Sequence, residues 1–144
     1  MTRLKLLLCA EGVIRDAEIN TISIYNIIEE LNSPGFPLFL QKMYIFSLLE
    51  RDPKDPSEIE CKIKLINNEN QLQEIDIKAD FKDKKRHRFI LRIDGLVLQS
   101  PGNLIAIVEK ECEELGRYTI ELKYTSEPKA TIEEPSEKKL DKED

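Results

Sequence analysis

The residues with the strongest intrinsic chemistry in this sequence are three cysteines, Cys9, Cys61 and Cys112, and one histidine, His87. Together they have the composition of a Cys3His zinc site. Their spacing argues against it, because the thiols lie about fifty residues apart with no CxxC pair. Cys61 stands on the apolar side of an alternating segment, and Cys112 continues the side of Leu104, Ala106 and Val108. Cys9 closes an apolar run. Free cysteine is among the most buried residue types, and His87 sits among cations, which discourages a metal. The expectation is reduced, structural thiols and no metal or cofactor.

Carboxylates form two groups. Glu11, Asp16 and Glu18 lie near one turn, and Glu50, Asp52, Asp55 and Glu58 near another. Calcium-binding sandwiches collect Asp from such loops, but no DxD-like repetition occurs here, and Pro53 and Pro56 describe a rigid strand exit. A glycosidase pair would want aromatic residues to stack a sugar, and the chain has no Trp. Walker, GxGxxG and GxSxG patterns are absent. No catalytic set is expected.

One local run stands out. Lys82-Asp83-Lys84-Lys85-Arg86-His87-Arg88, followed by Arg92, gathers cations in an acidic protein. Period two places Arg86, Arg88 and Arg92 on one face of a strand. Such a run serves either as a charged guard on an edge strand or as a site for anions, since guanidinium suits bidentate carboxylate or phosphate contacts. The candidate binding residues are therefore Lys84, Lys85, Arg86, Arg88 and Arg92.

The elements that must position these residues are short. Apolar runs recur at intervals of roughly a dozen residues between turn formers. Ile59, Cys61, Ile63 and Leu65 alternate with Glu60, Lys62 and Lys64. Ile75, Ile77 and Ala79 repeat the pattern, as do Phe89, Leu91 and Ile93 between Arg88 and Arg92. Asp52-Pro53-Lys54-Asp55-Pro56, Asn67-Asn68-Glu69-Asn70 and Ser100-Pro101-Gly102-Asn103 mark turns. Met43 to Leu49 is apolar on both faces apart from Ser47. In a sandwich only one face of a strand meets the core, so Tyr44, Phe46 and Leu48 are expected to meet a covering element or a second chain in a homodimer. Ile24 to Leu31 fits a helical period as well, but a strand ending near Ile28 agrees better with its neighbours.

Length and charge bound the rest. The 144 residues suit one domain. Net charge is −6, half of it in 126–144, where seven acids meet four lysines. The body carries 18 bases and 21 acids, which argues against general nucleic-acid affinity. The segment 126–144 has few apolar residues and is expected to be a disordered charged tail on a sandwich domain of 1–125. The run Leu6-Leu7-Leu8 is too short for a signal peptide, and no stretch approaches a membrane span. A cytoplasmic location is expected, without membrane contact.

The pattern Leu7-Leu8-Cys9-Ala10-Glu11-Gly12 resembles the opening of a family of small, uncharacterised prokaryotic proteins. Ile24-Tyr25-Asn26-Ile27 with Leu31, Phe36-Pro37, Leu49-Glu50-Arg51, Asp80-Phe81, Lys85-Arg86-His87-Arg88, Gly95-Leu96 and Pro101-Gly102 match the same pattern, over residues 4 to about 124. The family is a domain of unknown function, so the resemblance implies a β-sandwich and no activity. The reading is an all-β, two-sheet antiparallel sandwich, immunoglobulin-like or C2-like, of about eight strands. Its expected role is a non-enzymatic protein-interaction or assembly module with an acidic protein partner. A ligand-binding protein or enzyme with a dispersed site, or a calcium- or lipid-binding sandwich, is the alternative.

Overall fold

Alternation of apolar and polar side chains is satisfied by extended backbone throughout the described residues, 1–125, of the computed structural model. The tail expected over 126–144 lies outside them. Nine strands form: β1 (Arg3–Arg15), β2 (Ile22–Ile27), β3 (Glu30–Ser33), β4 (Leu38–Glu50), β5 (Glu58–Asn67), β6 (Asn70–Asp80), β7 (Arg86–Leu98), β8 (Gly102–Lys110) and β9 (Glu113–Tyr124). One sheet has the order β2-β1-β4-β7 and the other β3-β9-β8-β5-β6. Every pairing is antiparallel except β3 with β9.

The two sheets face each other across one core. From β4 come Met43, Ile45 and Leu49, and from β5 come Ile59, Cys61, Ile63 and Leu65. Leu104, Ala106 and Val108 of β8 and Ile120 and Leu122 of β9 complete it, with Phe89 and Ile93 from β7. Ser47 shares the inward face of β4 and is fully buried with no partner for its hydroxyl. Near Gly95 the faces of β4 and β7 swap. Lys42 pairs with Asp94 and Leu40 with Leu96, while Gly95 takes φ +71°. Beyond it Leu96 and Leu98 turn inward and Phe39 and Val97 turn out. A left-handed residue makes that swap inexpensive only for glycine.

The chain connects β4 to β5 across sheets, returns from β6 to β7, and crosses again from β7 to β8. β5–β6 and β8–β9 are hairpins. This is immunoglobulin-like connectivity, in which β1, β4 and β7 stand where strands A, B and E of the ABED sheet do. The position of strand D, beside β7, holds no strand among the described residues. The segment Ile24 to Leu31 is extended as expected. It breaks after Ile27, and Ile28 enters the core while its carbonyl accepts the Tyr118 hydroxyl at 2.8 Å. The chain then joins the second sheet as β3.

Buried Asn67 fastens the pole where β5, β7 and β8 meet. Its amide donates to the carbonyls of Ser100 and Asn103 (3.3 and 3.1 Å), and its Oδ1 accepts from the Gln99 amide at 2.9 Å. One sequence expectation fails at the β8–β9 hairpin. Glu111 and Cys112 both have positive φ, 53° and 66°, the signature of a two-residue type I′ turn. The inward face of β8 therefore ends before Cys112, which is exposed rather than part of the core.

Candidate functional site

The outer face of the four-stranded sheet is built by register. Leu8, Phe46 and Ile90 lie opposite one another across β1, β4 and β7, and Leu6, Leu48 and Arg88 form the next row. Ile27, Ala10, Tyr44 and Arg92 form the row on the other side. Tyr25 faces Gly12, and a Cβ on that glycine would lie 1.9 Å from the Tyr25 ring. The aromatic ring thus lies flat where a side chain would stand. Leu6, Tyr25, Ile27 and Ile90 remain 36–50% exposed. Of the face expected to associate, Tyr44 and Leu48 are half-buried. Phe46 is only 5% exposed, with Leu8 and Ile90 beside it in register and Arg15 and Asn20 lining the same groove. The outward apolar surface is real, but its accessible part is displaced from Phe46 to its neighbours.

Toward the start of β7 this face runs into a groove of roughly 730 Å³. Phe46, Leu48 and Phe81 give it apolar walls, and the cations are Arg15, Lys82, Lys84, Lys85, Arg86 and Arg88, with Asp80 the sole carboxylate. Four of the five basic residues singled out in the sequence meet here. Arg92 does not: it faces outward as expected but binds Asp94 at 2.9 Å, outside the groove. Sequence reasoning did not include Arg15, Asn20 and Lys82. Arg15 and Asn20 belong to the β1–β2 connection, whose approach to β7 depends on the fold, whereas Lys82 was visible in the basic run itself.

The cations are held differently. Glu50, buried at the end of β4, accepts from Arg3 at 3.0 Å and Arg86 at 3.1 Å, and Lys85 stands 3.9 Å away. The hydrogen bonds from Arg3 and then Arg86 hold its carboxyl well below the usual range, at about 2. Arg51 braces the loop before β7, donating to the carbonyls of Lys84, Asp55 and Lys82 (3.0, 3.0 and 3.2 Å). Arg88 donates to the Asn20 carbonyl at 2.6 Å. Arg15, Lys82, Lys84 and Arg88 have no carboxylate partner among the described residues. His87 lies half-buried between Phe81 and Phe89, with centroids 5.7 and 6.4 Å away. Burial lowers its pKa.

The remaining candidates disperse. Burial pushes the Cys9 thiol up to about 12 and raises that of Cys61, so neither is a ready nucleophile. No group of His, Cys, Asp or Glu that could hold a metal occurs among the described residues. Of the acidic cluster after β4, Asp52 and Asp55 contact the terminal amine, and Asp52 also receives Arg3 at 3.1 Å. Glu11 accepts from Asn26 at 2.7 Å, and Asp16 caps its own turn through the Glu18 amide at 2.9 Å. What the geometry offers is a basic groove opening onto an apolar sheet face, suited to binding anionic, partly apolar chains. No helix among the described residues is long and apolar enough to cross a membrane.

A sequence model of a family of unknown function, DUF6941, matches residues 5–133. No curated protein matches the chain. Among solved structures, a β-glucosidase from Listeria innocua in complex with isofagomine is similar at TM-score 0.47 and 9% identity. That match covers 85% of this chain and 16% of the enzyme. The alkylpurine DNA glycosylase AlkC of Pseudomonas fluorescens, bound to DNA with an abasic site analogue, gives TM-score 0.43 and 13% identity, over 85% of this chain and 30% of that one. An immunoglobulin-like protein from Pseudomonas aeruginosa gives TM-score 0.42 and 10% identity, over 85% of this chain and 96% of its own. The chain thus spans under a third of the first two proteins, and no activity passes from any of the three.

Proposed function

Since the chain belongs to DUF6941, a family of unknown function, its role has to be read from its surface, and we propose that it is a non-enzymatic interaction module for an acidic protein partner. The observation that carries this reading is the groove itself. Six cationic side chains surround one carboxylate in a protein of net charge −6, and the groove opens onto exposed Leu6 and Ile90. Carboxylates of the partner would meet Lys84, Arg88, Lys82 and Arg15, and its apolar side chains would lie on the sheet face. Complementary charge of this kind sets orientation and association rate. The reading places the protein in the cytoplasm, where its three free thiols stay reduced.

The test is fluorescence anisotropy with a labelled peptide of alternating glutamate and leucine. Binding is expected at low salt and should weaken about tenfold or more toward physiological salt, because exposed charges are screened within about 10 Å. The double substitution Lys84→Glu and Arg88→Glu should abolish it. Reversing Lys62 and Lys78 on the other sheet should leave it intact. Equal loss in both variants would sink the reading.

A second reading is favoured by the apolar rows alone: two copies of the chain meet through Leu6, Leu8, Tyr44, Leu48 and Ile90. A closed, two-fold dimer is the commonest soluble assembly. Sedimentation would then show a dimer that Ile90→Asp dissociates, while a monomer at high micromolar concentration removes this alternative.

A further inference from the structure

Among the described residues β7 is an edge strand of thirteen residues with a partner on one side only. The phase of its hydrogen bonding is set by one contact, the Arg51 amide donating to the Lys85 carbonyl at 2.9 Å. Those residues continue the register in which Glu50 faces Arg86 and Leu49 faces His87. Hydrogen-bonded and non-bonded pairs alternate along an antiparallel ladder. His87, Phe89, Leu91 and Ile93 therefore give both main-chain groups to β4. Arg86, Arg88, Ile90 and Arg92 turn theirs to the open side. These same four residues carry their side chains on the outer face.

The basic groove lies across this edge. It is lined from the outer face by Arg86 and Arg88 and from the opposite side by His87, Asp80 and Phe81. Arg86 and Arg88, whose main-chain groups are open, are thus among the residues that line the groove. It is also the side on which immunoglobulin-like sheets carry a further strand.

Resting on the docking reading above, we infer that β7 takes up an extended acidic segment of the partner protein as a fifth strand of the four-stranded sheet. Adding a strand to a sheet edge supplies main-chain hydrogen bonds, and alternate side chains supply the selection. Outward residues of β7 are spaced about 7 Å apart. They read cation, cation, apolar, cation at Arg86, Arg88, Ile90 and Arg92, with Arg86 also bound to Glu50 and Arg92 to Asp94. A complementary strand carries acids opposite the arginines and an apolar residue opposite Ile90. Charge also decides against the obvious competitor. Pairing two copies of β7 would bring arginines against arginines, so the same side chains that admit an acidic strand repel a second edge. Arg88, which donates to the Asn20 carbonyl and has no carboxylate partner among the described residues, is the arginine of this row free to donate to an incoming acid.

The experiment uses the full chain and two short peptides in which glutamate alternates with valine, with leucine in place of the glutamate opposite Ile90. They are identical except that one is N-methylated at every amide facing β7. The expected result is binding of the first, with the N-methylated peptide at least about tenfold weaker, the loss of one to two hydrogen bonds. Amide exchange by NMR should slow at Arg86, Arg88, Ile90 and Arg92 on binding, while His87, Phe89 and Leu91 are already protected in the free protein. Equal affinity of the two peptides, with exchange unchanged, would overturn strand addition and leave acidic docking standing. Binding of neither peptide would remove both. If the free chain already protects the four edge amides and Glu133→Gln with Glu134→Gln releases them, the occupant is the chain's own acidic end. The partner strand is then overturned.

Discussion

The outer faces of the two sheets solve the same problem in opposite ways. On the five-stranded sheet nearly every cation has its own carboxylate across the strands. Lys62 pairs with Glu74 at 3.2 Å, Lys64 with Glu109 at 3.2 Å, Lys78 with Glu58 at 3.5 Å and Lys123 with Glu30 at 3.1 Å. The face is complete in water. On the four-stranded sheet the middle rows are apolar and the cations collect at one pole, where buried Glu50 holds Arg3, Lys85 and Arg86 and the others have no carboxylate partner among the described residues. One face is finished by its own side chains and the other is not. Distributed ion pairs solvate a sheet, whereas apolar rows beside concentrated charge are the surface on which the proposed docking rests.

The sharpest way to break this comparison is to truncate one side chain on each face of the same sheet. Ile45→Ala removes a fully buried side chain from the core and is expected to cost about 2–5 kcal/mol in urea unfolding. Ile90→Ala, on the outer face, should cost less than about 1 kcal/mol. Comparable losses would mean that the outer face is a second core, already covered within the chain.

Acid offers the next largest effect. Glu50 titrates near 2 in the folded protein, against an ordinary 4.5. A depressed carboxyl stabilises the fold above its unfolded pKa, and that contribution disappears as pH falls from about 4.5 toward 2. His87, lowered by burial, acts in the same direction but higher, because protonation below about 6.5 favours the unfolded chain. Thermal melts across pH 7 to 2 should therefore fall in two stages. Glu50→Gln should reduce the lower stage, to which the lowered carboxyls of Glu30, Asp52, Asp55 and Glu114 also contribute, and leave the upper one. A profile unchanged by Glu50→Gln would show that the cationic pole does not depend on that carboxylate.

The smallest effect belongs to the distributed pairs. Lys64→Met, which breaks one rung with Glu109, should move the melting temperature by no more than about 2 °C, and less at high salt. A larger shift would make the charged face structural in the same sense as Glu50.

Much of this molecule was legible in the order of its residues. Alternation at Ile59, Cys61, Ile63 and Leu65, or at Phe89, Leu91 and Ile93, specifies a strand with one buried face wherever it is placed. Asn67-Asn68 and Pro101-Gly102 announce turns because of what their backbones allow. The basic run before and within β7 could be read as an exposed edge or as an anion site, and the open side of β7 satisfies the first condition. These are local properties, decided by neighbours a few residues away.

The rest depends on residues far apart in the chain. Arg15 and Asn20 reach the groove because the β1–β2 connection folds toward β7, and Glu50 gathers Arg3, Lys85 and Arg86 because β1 and β7 flank β4. Phe46 is buried on the outer face among Leu8, Ile90 and the residues of the β1–β2 connection, which no periodicity along β4 could reveal. Cys112 left the core for a type I′ turn, because hairpin closure took precedence over the inward face of β8. Arg92 shares a face with Arg88 by simple parity, yet Asp94 claims it. Period and turn chemistry set which face of each strand is apolar. Which strand lies beside which, and therefore which charges and surfaces remain unpaired, is a property of the folded sheets.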